Sequence, residues 1–168
     1  MRSRWLVPVF AVALIGAVTS CDDSITDLDE TFREDADWIA NMNGANEVPA
    51  VNTTATGTVW FVDRGNVIDY YMEYSGLLAA ANNSHIHRGA AGVVGNVMVQ
   101  LAFTRQQAGF VVGSIDMLNP DISAEAGTQT AEELRNLMNT GGVYVNVHSN
   151  EPPGESSGEI RGQIVRRQ

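Results

Sequence analysis

The chain has 168 residues, with 20 acidic side chains against 10 basic ones and a formal charge of −10. Every basic residue is arginine, and no basic stripe exists to neutralise phosphates, so nucleic acid is excluded as the expected partner. The single cysteine, Cys21, has no intramolecular disulfide partner, so an exported domain must hold together by its core alone.

Arg2 and Arg4 precede an apolar run at residues 5–18. Fourteen residues are too few to span a bilayer comfortably but match the h-region of a secretory signal. The run ends in Val18-Thr19-Ser20-Cys21, which resembles a bacterial lipobox. The resemblance implies a signal peptide over residues 1–20, cleavage before Cys21 and lipid attached at that residue. The mature chain would then be exported and lipid-anchored at the cell envelope, periplasmic or surface-exposed, with the membrane as a partner and no transmembrane helix needed. Loss of Arg2 and Arg4 moves the formal charge from −10 to −12. Residues 21–37 hold Asp22, Asp23, Asp27, Asp29, Glu30, Glu34, Asp35 and Asp37 against Arg33. Residues 21–36 therefore read as an extended, solvated acidic tether or as a sorting signal behind the anchor.

From residue 37 to 168 the pattern is that of one all-β domain, large enough for a single core. Residues 38–42 alternate as a first strand, and the stretch 43–49 breaks it. Residues 57–62 and 67–74 flank Asp63-Arg64-Gly65-Asn66, a hairpin signal. On the second arm Ile68, Tyr70, Met72 and Tyr74 are expected to face the core, and Asp69, Tyr71 and Glu73 solvent. Strands are also expected at 85–88, 97–103, 110–117, 142–148 and 158–165, with loops at 89–95, 118–129 and 150–158. One helix is predicted. Thr130 stands as N-cap with Glu133 three residues on, Leu134, Leu137 and Met138 form a stripe, and Gly141 terminates it. Strands and turns at this spacing predict a β-sandwich with one short helix.

The chemistry concentrates in the three histidines. His85 and His87 share one face of a strand, with Ile86 on the other. Tyr144, Asn146 and His148 share the polar face of a second strand, opposite Val143, Val145 and Val147. If the strands are neighbours, three imidazoles converge. Three neutral imidazoles suit zinc or copper with an open fourth position. A metal-bound histidine commonly donates its other N–H to a carboxylate or carbonyl, and Glu159 and Asn146 are the expected neighbours, Glu159 foremost. The alternatives are a hydrogen-bonded cluster that holds the Gly/Ala loop at 89–95, and a polar ligand site at the same place. Glu159 and Arg161 read as a surface pair on one strand face. No catalytic set is complete.

Four segments occur in order: Asn43-Gly44-Ala45-Asn46-Glu47-Val48-Pro49, His85-Ile86-His87-Arg88-Gly89, Tyr144-Val145-Asn146-Val147-His148 and Gly158-Glu159-Ile160-Arg161-Gly162. Together they resemble the CHRD domain of chordin and of many bacterial proteins, over about residues 37–166. That resemblance implies an immunoglobulin-like antiparallel β-sandwich and a binding or structural role, with an unidentified protein or glycan partner. A weaker resemblance is to copper–zinc superoxide dismutase, which also uses a His-x-His strand and a later histidine. His85, His87 and His148 would take those parts. The chain lacks a fourth histidine for copper, a bridging histidine for zinc and the family's disulfide, so dismutase activity is not expected.

Overall fold

The computed structural model describes residues 23–118, 130–150 and 158–168. The proposed signal peptide and Cys21 lie outside the described residues, as do 119–129 and 151–157, where loops were expected. Among the described residues no helix is long and apolar enough to cross a membrane.

Alternation along the chain is realised as strands β1 (Trp38–Asn43), β2 (Thr56–Asp63), β3 (Val67–Ser75), β4 (Ala81–Arg88), β5 (Val97–Gln100), β6 (Gly109–Asp116), β7 (Val143–Ser149), β8 (Ile160–Gln163) and β9 (Val165–Arg166). They form an antiparallel sheet in the order β5-β4-β7-β8-β1-β2-β3-β6, with β9 beside β1. Val59, Phe61, Ile68, Tyr70, Met72 and Tyr74 from one half meet Ile86, Val145, Val147 and Ile160 from the other in a single core cluster. The sheet is thus curled on itself, and the fold is all-β and sandwich-like. Each such buried side chain contributes roughly 1.5–3 kcal/mol, which is how a chain without a disulfide keeps its two halves together.

The predicted helix is α2 (Ala131–Thr140). Thr130 accepts from the Glu133 N–H at 3.1 Å, Gly141 ends the helix at φ 69°, and Leu134 and Met138 are fully buried. The Glu133 carboxylate pairs with Arg88 on β4.

Several features depart from expectation. The acidic segment forms α1 (Asp23–Asp35) instead of an extended tether, giving two helices where one was expected. Its Phe32 packs with Ala36, Trp60, Val62 and Tyr71 in a second apolar cluster, and Arg33 bridges Asp29 one turn earlier at 2.5 Å. A buried aromatic and an i,i+4 pair outweigh the mutual repulsion of the acids. Tyr71, expected in solvent, is 3% exposed because α1 covers it. Finally, β5 stops at Gln100 although the alternation runs to Phe103. The N–H groups of Ala102 and Thr104 go to the Tyr70 and Tyr74 hydroxyls at 2.8 and 3.0 Å, so the backbone leaves the ladder there.

Candidate metal centre

Strands β4 and β7 are neighbours, in a register that sets His85 opposite Asn146, His87 opposite Tyr144 and His148 opposite Asn83. Ile86, Val145 and Val147 point into the core, which turns all three histidines to the other face. That face is roofed rather than solvated. Glu47 and Val48, which follow the 3₁₀ turn Gly44–Asn46, cover it together with the loop at 89–95, and the histidines are only 8–9% exposed.

His85 Nδ1 and His148 Nε2 stand 3.3 Å apart, and one nitrogen from each of the three rings lies within 4.8 Å of the others. Bonds of about 2.0–2.1 Å to one tetrahedral ion place two ligand atoms roughly 3.3–3.4 Å apart. The His85 ring meets the other two edge-on, at centroid distances of 5.3 Å to His87 and 5.1 Å to His148. His87 Nδ1 lies 2.9 Å from the Gly95 carbonyl. A carbonyl only accepts, so Nδ1 carries the proton and Nε2 keeps its lone pair. Nε2 is buried and makes no well-formed hydrogen bond among the described residues, with the Asn146 side chain beside the ring. Burial, and secondarily the neighbouring His87, holds the His85 imidazole down to about 4. Burial also lowers His87, against the opposing pull of Gly95 and Asn146. Both are neutral near pH 7, the form that binds metal.

The Tyr144 ring is stacked on His87 at 4.9 Å and 5°. The Arg161 guanidinium lies over the same ring, 3.3 Å from its centroid. Arg161 is 2% exposed and donates from Nη2 to the carbonyls of Ala90 and Val93 at 3.0 and 2.9 Å, which fastens the loop roof. Glu47 is 4% exposed, and burial pushes its carboxyl up to about 7 although Arg161 opposes the shift. Gly158, at φ +93°, leaves room for this carboxyl. A Cβ there would sit 2.3 Å from Glu47 Oε1 and 2.6 Å from Asn146 Nδ2. Between the roof and the histidines lies a cavity of about 200 Å³, bordered by Glu47, His87, Tyr144, Asn146, His148 and Arg161 among others.

A family model described as the CHRD domain matches residues 38–164. The chain belongs to the CHRD domain family. No individually curated protein matches the sequence. The matched span runs from β1 to the residue after β8, and takes in every side chain of the site.

Within this CHRD domain the structure brings His85, His87 and His148 together, as the strand pattern predicts, and sets Asn146 beside them. Glu159 is placed differently from expectation. Its register lies beside His148, but its carboxylate accepts from Thr53 Oγ1 at 2.7 Å and from the Leu78 N–H at 2.9 and 3.1 Å. It ties two loops together instead of supporting an imidazole. Nor are Glu159 and Arg161 a surface pair: both are buried, at 0% and 2% exposure, and Arg161 fastens a loop that Glu159 does not touch. Sequence reasoning missed Glu47 and the Gly95 carbonyl. The signal for Glu47 was present, since it is the one acid in the 43–49 segment quoted for the family. Gly95 acts through its backbone, which no side-chain pattern reveals.

Proposed function

We propose that this CHRD domain is an exported binding module, held at the bacterial cell envelope by lipid on Cys21, and that His85, His87 and His148 bind one zinc or copper ion in it. The observation that carries the metal reading is the convergence of three ring nitrogens within 4.8 Å, one pair already at the spacing of shared ligands. Copper is favoured over zinc on intrinsic affinity. Three protein ligands would leave a position open, and two of them, His87 and His148, border the cavity. The lipid anchor is supported by the lipobox-like sequence before the lone cysteine.

The His87–Gly95 hydrogen bond favours a second reading, in which the histidines only fasten the loop roof and a protein or glycan partner binds elsewhere. Calorimetric titration of Cu²⁺ and Zn²⁺ into the purified full chain separates the two. One equivalent bound by the parent and none by a folded His85/His87/His148→Ala variant supports the metal site. No binding by the parent, with the variant merely less stable, would assign the histidines to structure. Incorporation of labelled fatty acid, lost in Cys21→Ser, checks the anchor.

A further inference from the structure

We infer that the cavity bordered by His87 and His148 seats a small hydroxylated oxyanion of bicarbonate size, which completes the coordination of the bound metal; this rests on the metal reading above. Three observations point to that ligand class. First, charge: three neutral imidazoles leave a divalent ion uncompensated, and the guanidinium of Arg161 adds a further positive charge at the cavity wall. A single carboxyl group, Glu47, faces them among the cavity's described lining, so at most one of the three positive charges is offset from within. Buried charge demands compensation, and an anion entering the open metal position supplies it.

Second, hydrogen bonding: Glu47 Oε1 is buried and has no partner among the described residues. An unfilled buried acceptor calls for a donor. A ligand that carries both an anionic oxygen and an O–H satisfies the metal and Arg161 with one end and Oε1 with the other. Third, size: about 200 Å³ holds a handful of waters, and an ion of four heavy atoms fits within it. No bond forms or breaks in the ligand; the step is exchange of a water on the metal for the anion.

The test uses the full chain loaded with one equivalent of Cu²⁺, titrated with bicarbonate in a sealed cell and, separately, with formate, which has the carboxylate but no O–H. Changes in the copper absorption and electron paramagnetic resonance spectra give the two affinities. Bicarbonate is expected to bind about tenfold more tightly than formate, and the gap to close in Glu47→Leu. Arg161→Met is expected to weaken both anions by about tenfold or more. Because Arg161 also fastens the roof, Val94→Trp provides the second variant. Val94 lines the cavity, is 65% exposed and touches no histidine through any bond described, so tryptophan there should exclude both anions and leave copper binding intact. Equal affinities of the two anions, or anion binding untouched by both Glu47→Leu and Val94→Trp, would overturn the proposal. So would anion binding that arises only when Glu47 is removed, since Glu47 would then itself be the fourth ligand. A parent chain that binds no copper removes the metal reading, and this proposal with it; a chain that binds copper but no anion removes this proposal alone.

Discussion

Among the described residues three arginines lie over aromatic rings, and the surroundings of two of them, Arg161 and Arg33, separate what the pairing does. Arg161 sits 3.3 Å from the Tyr144 centroid, 2% exposed, with its donors on loop carbonyls. Arg33 sits 4.6 Å from the Trp60 centroid with a side chain 48% exposed, paired with Asp29 and Glu73. In water the pairing is a weak fastener; out of water the same pairing commits a charge that everything nearby must satisfy. The region around Arg161 is therefore a site, and the region around Arg33 is a join between a helix and a sheet.

The comparison is broken most directly at Arg161. Arg161→Met removes the donors to Ala90 and Val93 and leaves those carbonyls and Glu47 without their cation. A loss of about 3–5 kcal/mol is expected, read from the urea midpoint. A loss below about 1 kcal/mol would mean that the buried arginine is no more demanding than an exposed one.

Next in size is the apolar contact that holds α1. Phe32 packs against Tyr71 at a centroid distance of 5.9 Å and is the largest side chain α1 gives to its cluster. Phe32→Ala is expected to cost about 2–3 kcal/mol, confined to the helix. Hydrogen exchange should accelerate across α1 and stay unchanged in β4 and β7, and copper affinity should not move. Acceleration in β7 would show that the two regions are coupled.

Glu47 sharpens the comparison by pH. Its carboxyl is raised from an ordinary 4.5 to about 7 by burial. Between those values the folded protein holds a proton that the unfolded chain has released, so this group's contribution falls as pH rises through the window, and the whole penalty is present above about 7. Glu47→Gln should thus stabilise the metal-free protein by about 1–3 kcal/mol at pH 8 and not at all at pH 4. His85, lowered to about 4, acts in the opposite direction, losing its contribution as pH falls from 6.5 towards 4. It cancels when parent and variant are compared at one pH. Urea curves at pH 4, 6 and 8 decide the matter, and a gain at pH 4 would refute the assigned cause.

These two regions were not equally legible in the sequence. The strand alternation of 85–87 and 143–148 put the three histidines on one face, because a period of two fixes side-chain direction without any knowledge of the partner strand. It could not show that the face is roofed. The roof comes from loops at 44–48 and 89–95 that are remote in sequence and held by backbone carbonyls, which carry no residue signature. Glu159 illustrates the limit: register alone placed it beside His148, but the loop donors of Thr53 and Leu78 took its oxygens. The helix α1 was missed for the converse reason. Its charge composition argued for an extended chain, and the one residue that decides otherwise, Phe32, is apolar only in relation to Trp60 and Tyr71 on distant strands.

The smallest expected effect tests the weak member of the pair. Arg33 combines an exposed i,i+4 bridge, a 3.3 Å contact to Glu73 and the face of Trp60. Each is individually worth a fraction of a kcal/mol at an exposed site. Arg33→Ala should cost about 0.5 kcal/mol in all, and part of that should vanish at high salt, because only the ionic share is screened. The residue that survives at high salt reports the contact with Trp60, which involves the side chain's stem as well as its charge. Repeating the substitution in a Glu73→Gln background isolates the bridge between helix and sheet. If Arg33→Ala instead cost as much as Phe32→Ala, charge rather than apolar burial would be holding α1, and the acidic segment would be a folded part of the domain for electrostatic reasons that salt could undo.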